Sequence, residues 1–182
     1  MNIWKSALRL FGWKVRITAP RRDKCVICVA PHTSNWDFVI GLAAYRSLGR
    51  DANFLMKKFW FFWPLKYMLV HFGGIPVESR SKSGVSLTDS IIADFKTRDY
   101  LNLAVTPEGT RSRTSSWRTG FLYIALGAGV PIQLGVIDFA GKEVMIADEY
   151  VPTGDIERDM AYVKNYYAGH AAAARYPDKF TI

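Results

Sequence analysis

The sequence predicts a single α/β domain in which helices flank a mostly parallel β-sheet, with a short amphipathic helix at the N-terminus. Its 182 residues match the size of one domain. Hydrophobic residues make up 49% of the chain and charged residues 22%, a balance typical of a folded protein with a buried core. Short apolar runs alternate with helical periodicities at the spacing of β–α units, which favours parallel strands. We therefore expect an amphipathic helix within residues 1–20 and one functional domain over residues 21–182.

The N-terminal residues 1–18 show the periodicity of an amphipathic helix. Trp4, Leu8, Phe11 and Val15 recur at spacings that place them on one side, and basic residues fall on the other side. Large apolar side chains opposite a basic face are typical of a helix lying in a membrane interface. A helix that packs on its own domain explains the same pattern, and the sequence leaves both interpretations open.

The remaining elements follow from apolar runs and their boundaries. Strands are predicted over residues 24–30, 53–58, the short run after Gly73–Gly74, 101–106, 131–139 and 142–150. Helices are predicted over residues 36–48, 86–98, 121–127 and 154–175, the last one running into a tail without a clear pattern. Ser34 or Asn35 can cap the helix over 36–48, since each has a side-chain oxygen for the free N–H groups of the first turn.

An aromatic segment, residues 59–70, interrupts this alternation. It is rich in Phe and Trp and is flanked by lysines, a composition that suits the headgroup region of a membrane. A core helix behind Pro64 is the alternative. The chain has no run of 18 apolar residues, so we expect no transmembrane helix, and its N-terminus does not have the pattern of a signal peptide.

The charge and the cysteines restrict the class of partner and of cofactor. The net charge of +8 favours an acidic partner, such as nucleic acid, an anionic membrane surface or a phosphorylated substrate. No nucleic-acid-binding motif is present, and the aromatic residues do not interleave with basic ones, so we expect no nucleic acid. Cys25 and Cys28 lie within one strand and have no second pair, which predicts two reduced core cysteines of a cytoplasmic protein and no metal site.

Two short motifs carry the chemistry. His32 and Asp37 follow the apolar strand over 24–30, and a carboxylate that reaches one ring nitrogen leaves the other nitrogen free to act as a general base. In the second motif, Thr106 to Arg111, Gly109 lets the backbone approach an anion and Arg111 suits a phosphate. The chain contains neither a nucleophile elbow around Ser34 nor a P-loop, which disfavours a serine hydrolase and a nucleotide-binding protein.

Four blocks in order along residues 24–140 give the chain its resemblance to a known family. They are an H-x-x-x-x-D block (32–37), a glycine-to-arginine block (73–80), P-E-G-T-R-S (107–112) and V-P-I (130–132). In this arrangement the chain resembles the glycerolipid acyltransferase family, which includes the 1-acyl-glycerol-3-phosphate acyltransferases. Residues 21–182 would then form an acyltransferase domain.

The resemblance implies a role for each matching residue. His32 would deprotonate the acceptor hydroxyl, Asp37 would orient His32, and the hydroxyl would attack an acyl thioester directly. The acceptor and its phosphate would be held by the residues of the second and third blocks: Arg80, Glu108, Gly109, Thr110 and Arg111. The V-P-I block would shape the acyl or the acceptor pocket, and neither a metal nor a cofactor is implied.

The resemblance also implies the substrates and the location. The donor would be acyl-CoA or acyl carrier protein, and the acceptor a lysophospholipid, with 1-acyl-glycerol-3-phosphate favoured, in phospholipid biosynthesis. Pro31 stands where many members have Asn, and Leu134 where many have a second proline, which leaves another lysolipid or an amino-acid lipid open as acceptor. The protein would contact the cytoplasmic side of the inner membrane peripherally. A non-catalytic lipid-binding protein and a thioesterase are the alternatives in other classes.

Overall fold

The computed structural model describes residues 2–77 and 86–182, and within them seven strands form one sheet. The sheet order is β1-β7-β6-β2-β5-β3-β4; β6 and β7 pair antiparallel and all other neighbours pair parallel. The strands are β1 (Lys14–Ile17), β2 (Lys24–Val29), β3 (Asn53–Lys57), β4 (Gly74–Val77), β5 (Leu101–Val105), β6 (Ile132–Asp138) and β7 (Glu143–Tyr150). The prediction of a mostly parallel α/β fold is confirmed.

Helices cover both faces of this sheet. They are α1 (Ile3–Leu10), α2 (Asn35–Ser47), α3 (Leu65–His71), α4 (Leu87–Thr97), α5 (Gly120–Ala128) and α6 (Ile156–Ala168). Side chains of α4, α5 and α6 form the larger core on one face, and those of α1 and α2 pack on the other. No helix within the described ranges is long and apolar enough to cross a membrane.

Strand β2 lies at the centre of the sheet, between β5 and β6. A central parallel strand is covered on both faces, which explains its continuous apolar sequence. Cys25 and Cys28 are free and buried and belong to cores on opposite faces, as predicted. Burial raises the pKa of the Cys25 thiol to about 12, so it is a packed side chain and not a reactive thiolate.

The N-terminal helix is shorter than the sequence pattern predicted. It begins at Ile3, capped by the Asn2 side chain, and ends at Leu10, whereas a helix was expected over residues 1–18. Gly12 takes a left-handed φ of +77°, and the next residues form β1 in parallel pairing with β7. The alternating Lys-Val-Arg-Ile sequence of β1 suits a strand, and its partner lies more than 120 residues away in the sequence.

The C-terminal prediction was also wrong in its boundary. Helix α6 starts after the Asp155 cap and ends at Ala168, before Gly169, and not near residue 175. The chain then forms two 3₁₀ turns, Ala171–Ala173 and Pro177–Lys179. Phe180 is buried in the larger core, so the tail packs on the domain and has a defined position. Phe180 packs against residues that are far away in the sequence, and such contacts leave no periodic pattern in the local sequence.

Candidate active site

The two predicted motifs lie at the same edge of the sheet. The first follows the carboxyl end of β2 and the second follows the carboxyl end of β5, and these two strands are parallel neighbours. Ligands bind at this edge in open α/β sheets. On the far side of β2, the buried Tyr167 hydroxyl of α6 donates to the Cys28 carbonyl oxygen at 2.6 Å, which fixes the strand end that carries the first motif.

The histidine and the aspartate of the first motif are in contact. His32 Nδ1 lies 3.1 Å from Asp37 Oδ2. Asp37 is buried, whereas the histidine side chain is partly accessible at 14%. Because Nδ1 faces the carboxylate, Nε2 is the ring nitrogen left for a substrate. The geometry is that of a histidine oriented by a carboxylate.

Asp37 is held by the start of α2. Its Oδ2 accepts the backbone N–H groups of Thr33 at 2.9 Å and Ser34 at 2.8 Å. In return, the Ser34 hydroxyl accepts the Trp36 backbone N–H at 3.1 Å, and the two side chains form a capping box. Of the two cap residues that the sequence allowed, Ser34 caps the helix, and the same hydrogen bonds fix the carboxylate in front of His32.

Glu108 links the second motif to the first. Its Oε2 accepts the backbone N–H of His32 at 2.8 Å, and the residue is only 5% exposed. Burial raises the pKa of this carboxyl to about 7. The contact positions the histidine loop, and Glu108 does not line either of the cavities described below. Its acceptor-binding role stays a prediction.

The other residues of the second motif form an exposed turn. Gly109 has a φ of +64°, and its N–H donates to the Thr106 carbonyl oxygen at 3.1 Å. An added Cβ would also lie 3.2 Å from Arg118 Cγ, so the turn requires glycine. Thr110 Oγ1 accepts the Ser112 backbone N–H at 3.1 Å, and Arg111 is exposed. Of these residues, Arg111 has its charged side chain available for an anion.

The remaining predicted residues lie elsewhere or outside the described ranges. Arg80 belongs to residues 78–85, which the structure does not describe. In the fourth block, Val130 and Ile132 are buried in the larger core and line neither cavity. Their predicted role in shaping a pocket has no support from their position.

A large apolar cavity opens beside His32. It has a volume of about 590 Å³ and lies between α2 and the sheet. His32, Asp37 and Arg111 lie on its wall, together with apolar residues that include Phe38, Leu42, Phe54, Val105 and Ile137. Its size falls in the usual range of ligand pockets. In residues 2–77 and 86–182, no group of three His, Cys, Asp or Glu side chains could hold a metal ion.

The family comparison decides what kind of protein carries this site. A family model described as Acyltransferase matches residues 14–136, which include both motifs. The chain belongs to the acyltransferase family. The predicted resemblance is therefore confirmed, and acyl transfer is the reaction that its family performs. A search of curated proteins gave no match to this acyltransferase.

A solved structure supports the fold of the acyltransferase. It is the crystal structure of PlsC, a 1-acyl-sn-glycerophosphate (LPA) acyltransferase from Thermotoga maritima. The two share 19% sequence identity with a TM-score of 0.63, over 90% of this chain and 73% of that chain. At this identity the likeness establishes a common fold.

Sequence reasoning missed a second group of residues in this acyltransferase. A polar cleft of about 380 Å³ adjoins the start of α2, and its wall includes Arg175, Tyr176 and Lys179 from the C-terminal tail. These residues lie outside the family match and outside all four blocks. The two basic residues of the tail, Arg175 and Lys179, were the only available signal, and nothing in the local sequence relates them to His32.

Proposed function

We propose that this acyltransferase moves a fatty acyl chain from a thioester, acyl-CoA or acyl carrier protein, to the hydroxyl of a lysophospholipid, with 1-acyl-glycerol-3-phosphate as the first candidate acceptor. The observation that carries the proposal is the contact of 3.1 Å between His32 Nδ1 and Asp37 Oδ2 on the wall of a large apolar cavity. A general base and a site for an acyl chain are the two parts that the reaction needs. Membership of the family supports the same reaction.

The proposed reaction is one direct transfer. His32 Nε2 takes the proton of the acceptor hydroxyl while the oxygen attacks the thioester carbonyl carbon. The tetrahedral intermediate collapses, the carbon–sulfur bond breaks, and the thiolate takes the proton from the imidazolium. An ester and a free thiol result. Asp37 stabilises the imidazolium that forms between the two proton transfers.

The apolar cavity is the proposed site of an acyl chain. It lies against His32, so a chain lying within it would place its carboxyl end near the base. Burial of a methylene group stabilises binding by about 0.8 kcal/mol, and a long chain therefore gains much from an apolar wall. The residues of α2 and of β6 on this wall would set the length that fits.

Charge supports a phosphorylated acceptor and an acidic donor. Arg111 lies at the boundary of the cavity, exposed, and has no carboxylate within 4 Å among the described residues. A guanidinium in this state can bind phosphate through two hydrogen bonds. The net charge of +8 would raise the association rate with acyl-CoA or acyl carrier protein.

An exposed apolar surface supports contact with a membrane. In the aromatic segment, the side chains of Phe59 and Trp63 are 79% and 75% exposed. Helix α1 contacts the chain just after this segment, where Trp4 packs on Phe72 with ring centroids 6.0 Å apart, and Phe11 of α1's C-cap is exposed. The α1 helix thus packs on its own domain through Leu8 and still presents apolar side chains outward. We propose peripheral binding at the cytoplasmic side of the inner membrane.

We predict that the double variant Phe59→Ser and Trp63→Ser binds anionic vesicles at least tenfold more weakly than the unchanged protein. Both side chains are already exposed, so their loss removes insertion into lipid without disturbing the core. The measurement is co-sedimentation with vesicles that contain phosphatidylglycerol. Tyr123→Ser, an exposed aromatic residue of α5, is the matched control and should leave binding unchanged. Equal binding by all three proteins would contradict the membrane surface.

A thiol-release assay tests the proposed function. The purified protein is mixed with palmitoyl-CoA, with or without 1-acyl-glycerol-3-phosphate in mixed micelles, and acyl carrier protein replaces CoA in a second series. Release that requires the acceptor, with formation of the diacyl product, is the expected result. Release without acceptor would instead identify a thioesterase. Lipid binding without any release, for all lysolipids tested, would favour a non-catalytic lipid-binding protein.

A further inference from the structure

The polar cleft touches the candidate active site through shared residues. Asn35 and Arg111 lie on the walls of both the apolar cavity and the polar cleft. Thr33, the residue after His32, also lines the cleft. A molecule in the cleft would therefore lie next to the loop that carries the base and would adjoin the apolar cavity.

The cleft is basic. Arg111, Arg175 and Lys179 line it, all three are exposed, and none has a carboxylate within 4 Å among the residues that the structure describes. Other arginines are neutralised: Arg16 pairs with Glu143 at 3.3 Å and Arg22 with Glu149 at 2.7 Å. No acidic residue lines the cleft. Three uncompensated cations around a cleft of this size suit a small, multiply charged anion.

Specific contacts fix the tail against the catalytic loop. The Tyr176 backbone N–H donates to the Thr33 hydroxyl at 3.2 Å, next to His32. Further along, the Trp117 indole N–H donates to the Thr181 carbonyl oxygen at 3.0 Å, and Phe180 packs on the Trp117 ring. The tail is thus held at both ends of its last turn. Its cations have a defined place beside the histidine loop.

Aromatic rings orient these cations without neutralising them. The Arg175 guanidinium lies 5.8 Å from the Trp36 ring centroid and 5.6 Å from those of Phe139 and Tyr176. The Lys179 ammonium lies 4.5 Å from the Tyr176 ring centroid. Such contacts are worth about 0.5–1 kcal/mol at exposed sites, enough to bias a side-chain position. A ring contact does not pair the cation with an anion, so both side chains can still bind an anionic ligand.

We propose that Arg175 and Lys179 of the C-terminal tail, together with Arg111, bind the phosphate monoester of the acceptor. This inference rests on the proposed acyl transfer. In a 1-acyl-glycerol-3-phosphate the attacking hydroxyl and the phosphate are on neighbouring carbons, so the phosphate must lie close to His32 when the hydroxyl does. The phosphates of CoA are separated from the thioester by the whole pantetheine arm. The position of the cleft next to the base favours the acceptor as the source of the phosphate.

Binding of a soluble acceptor tests this proposal without turnover. The ligand is 1-hexanoyl-glycerol-3-phosphate, and its affinity is measured by isothermal titration calorimetry. We expect the double variant Arg175→Gln and Lys179→Gln to bind it at least tenfold more weakly, since two charged hydrogen-bond donors are lost. Lys96→Gln on α4, which removes one exposed charge away from the cleft, is the control and should bind normally. Thermal unfolding of each variant verifies its fold.

Two further titrations separate the sources of phosphate. Coenzyme A should bind to the double variant and to the unchanged protein with equal affinity. The same is expected for 1-hexanoylglycerol, which has no phosphate. If the double variant lost affinity for coenzyme A and not for the acceptor, the proposal would be overturned, and the cleft would be a binding site for the donor. Failure of the unchanged protein to bind the phosphorylated acceptor would also overturn it. A third outcome separates the two proposals. If binding requires the phosphate and is lost in the double variant, but the unchanged protein shows no acyl transfer, the phosphate site is supported and the proposed function is refuted.

Discussion

Replacing His32 by alanine is expected to lower kcat of acyl transfer by about 10²–10⁴ and to leave the fold intact. General base catalysis supplies an acceleration of that size, and no other histidine of the described residues lies in the site. The side chain is partly accessible and has one ion-pair contact, to Asp37, so its removal costs little packing. Thiol release with palmitoyl-CoA and 1-acyl-glycerol-3-phosphate measures the loss.

Asp37→Asn separates the charge from the geometry. The amide oxygen of asparagine can still accept the backbone N–H groups of Thr33 and Ser34, which hold the carboxylate at 2.9 and 2.8 Å. The helix cap is thereby retained, while the negative charge that stabilises the imidazolium is lost. We expect kcat to fall by about 10²-fold or more, with a smaller change in the melting temperature.

His71→Ala is the matched control for both variants. His71 is exposed at the end of α3, and its ring contacts Phe72. The His71→Ala variant should retain full activity, because the His71 side chain is exposed and lines neither cavity. The backbone carbonyl oxygen that accepts from Arg46 is kept in this variant. Turnover by His32→Ala within a few-fold of the unchanged protein would exclude the general-base role. If Asp37→Asn lost activity only to the extent that it unfolded, the effect could not be assigned to the lost negative charge.

Local patterns predicted the geometry of the loop that holds His32 and Asp37, and its catalytic role stays a proposal. The apolar run of β2, the Ser34 cap and the Asp37 carboxylate lie within about a dozen residues, so their geometry depends on a strand, a turn and a helix start. Short-range hydrogen bonds decide such a segment. The order of the motifs along the chain indicated the family. The two motifs meet in the fold because β2 and β5 pair in parallel, which brings the loops after them to the same end of the sheet.

Long-range contacts decided the parts that the sequence did not predict. β1 exists because it pairs with β7, and its four residues alone continue a helical periodicity equally well. The tail is ordered by Thr33, which lies 143 residues before Tyr176. The sequence motif predicted that Glu108 belongs to the site, but it did not predict that its carboxylate accepts the backbone N–H of His32. Each contact depends on the finished fold, which local propensity does not encode.

The apolar cavity likewise arises only when α2 lies across the sheet. Gly41 is on its wall, and a Cβ at this position would lie 3.3 Å from Ile137 Cδ1 on β6. A leucine side chain here would project further into the space between helix and sheet. Glycine inside a helix lowers the stability of the helix by about 1 kcal/mol relative to alanine. Helix propensity alone would therefore favour a larger residue at this position. Glycine at this position lets α2 pack closely against Ile137 of β6.

We expect Gly41→Leu to lower kcat/KM with palmitoyl-CoA by about 10²-fold and with octanoyl-CoA by only a few-fold. Four side-chain carbons displace about four methylene groups of a long chain, each worth about 0.8 kcal/mol on burial, whereas a short chain ends before the obstruction. A series of donors from eight to eighteen carbons measures the shift, with Gly41→Ala as the control that keeps most of the volume. Equal losses for all chain lengths would show damage to the site as a whole. An unchanged preference would show that the acyl chain lies elsewhere, and the cavity between α2 and the sheet would lose its proposed role.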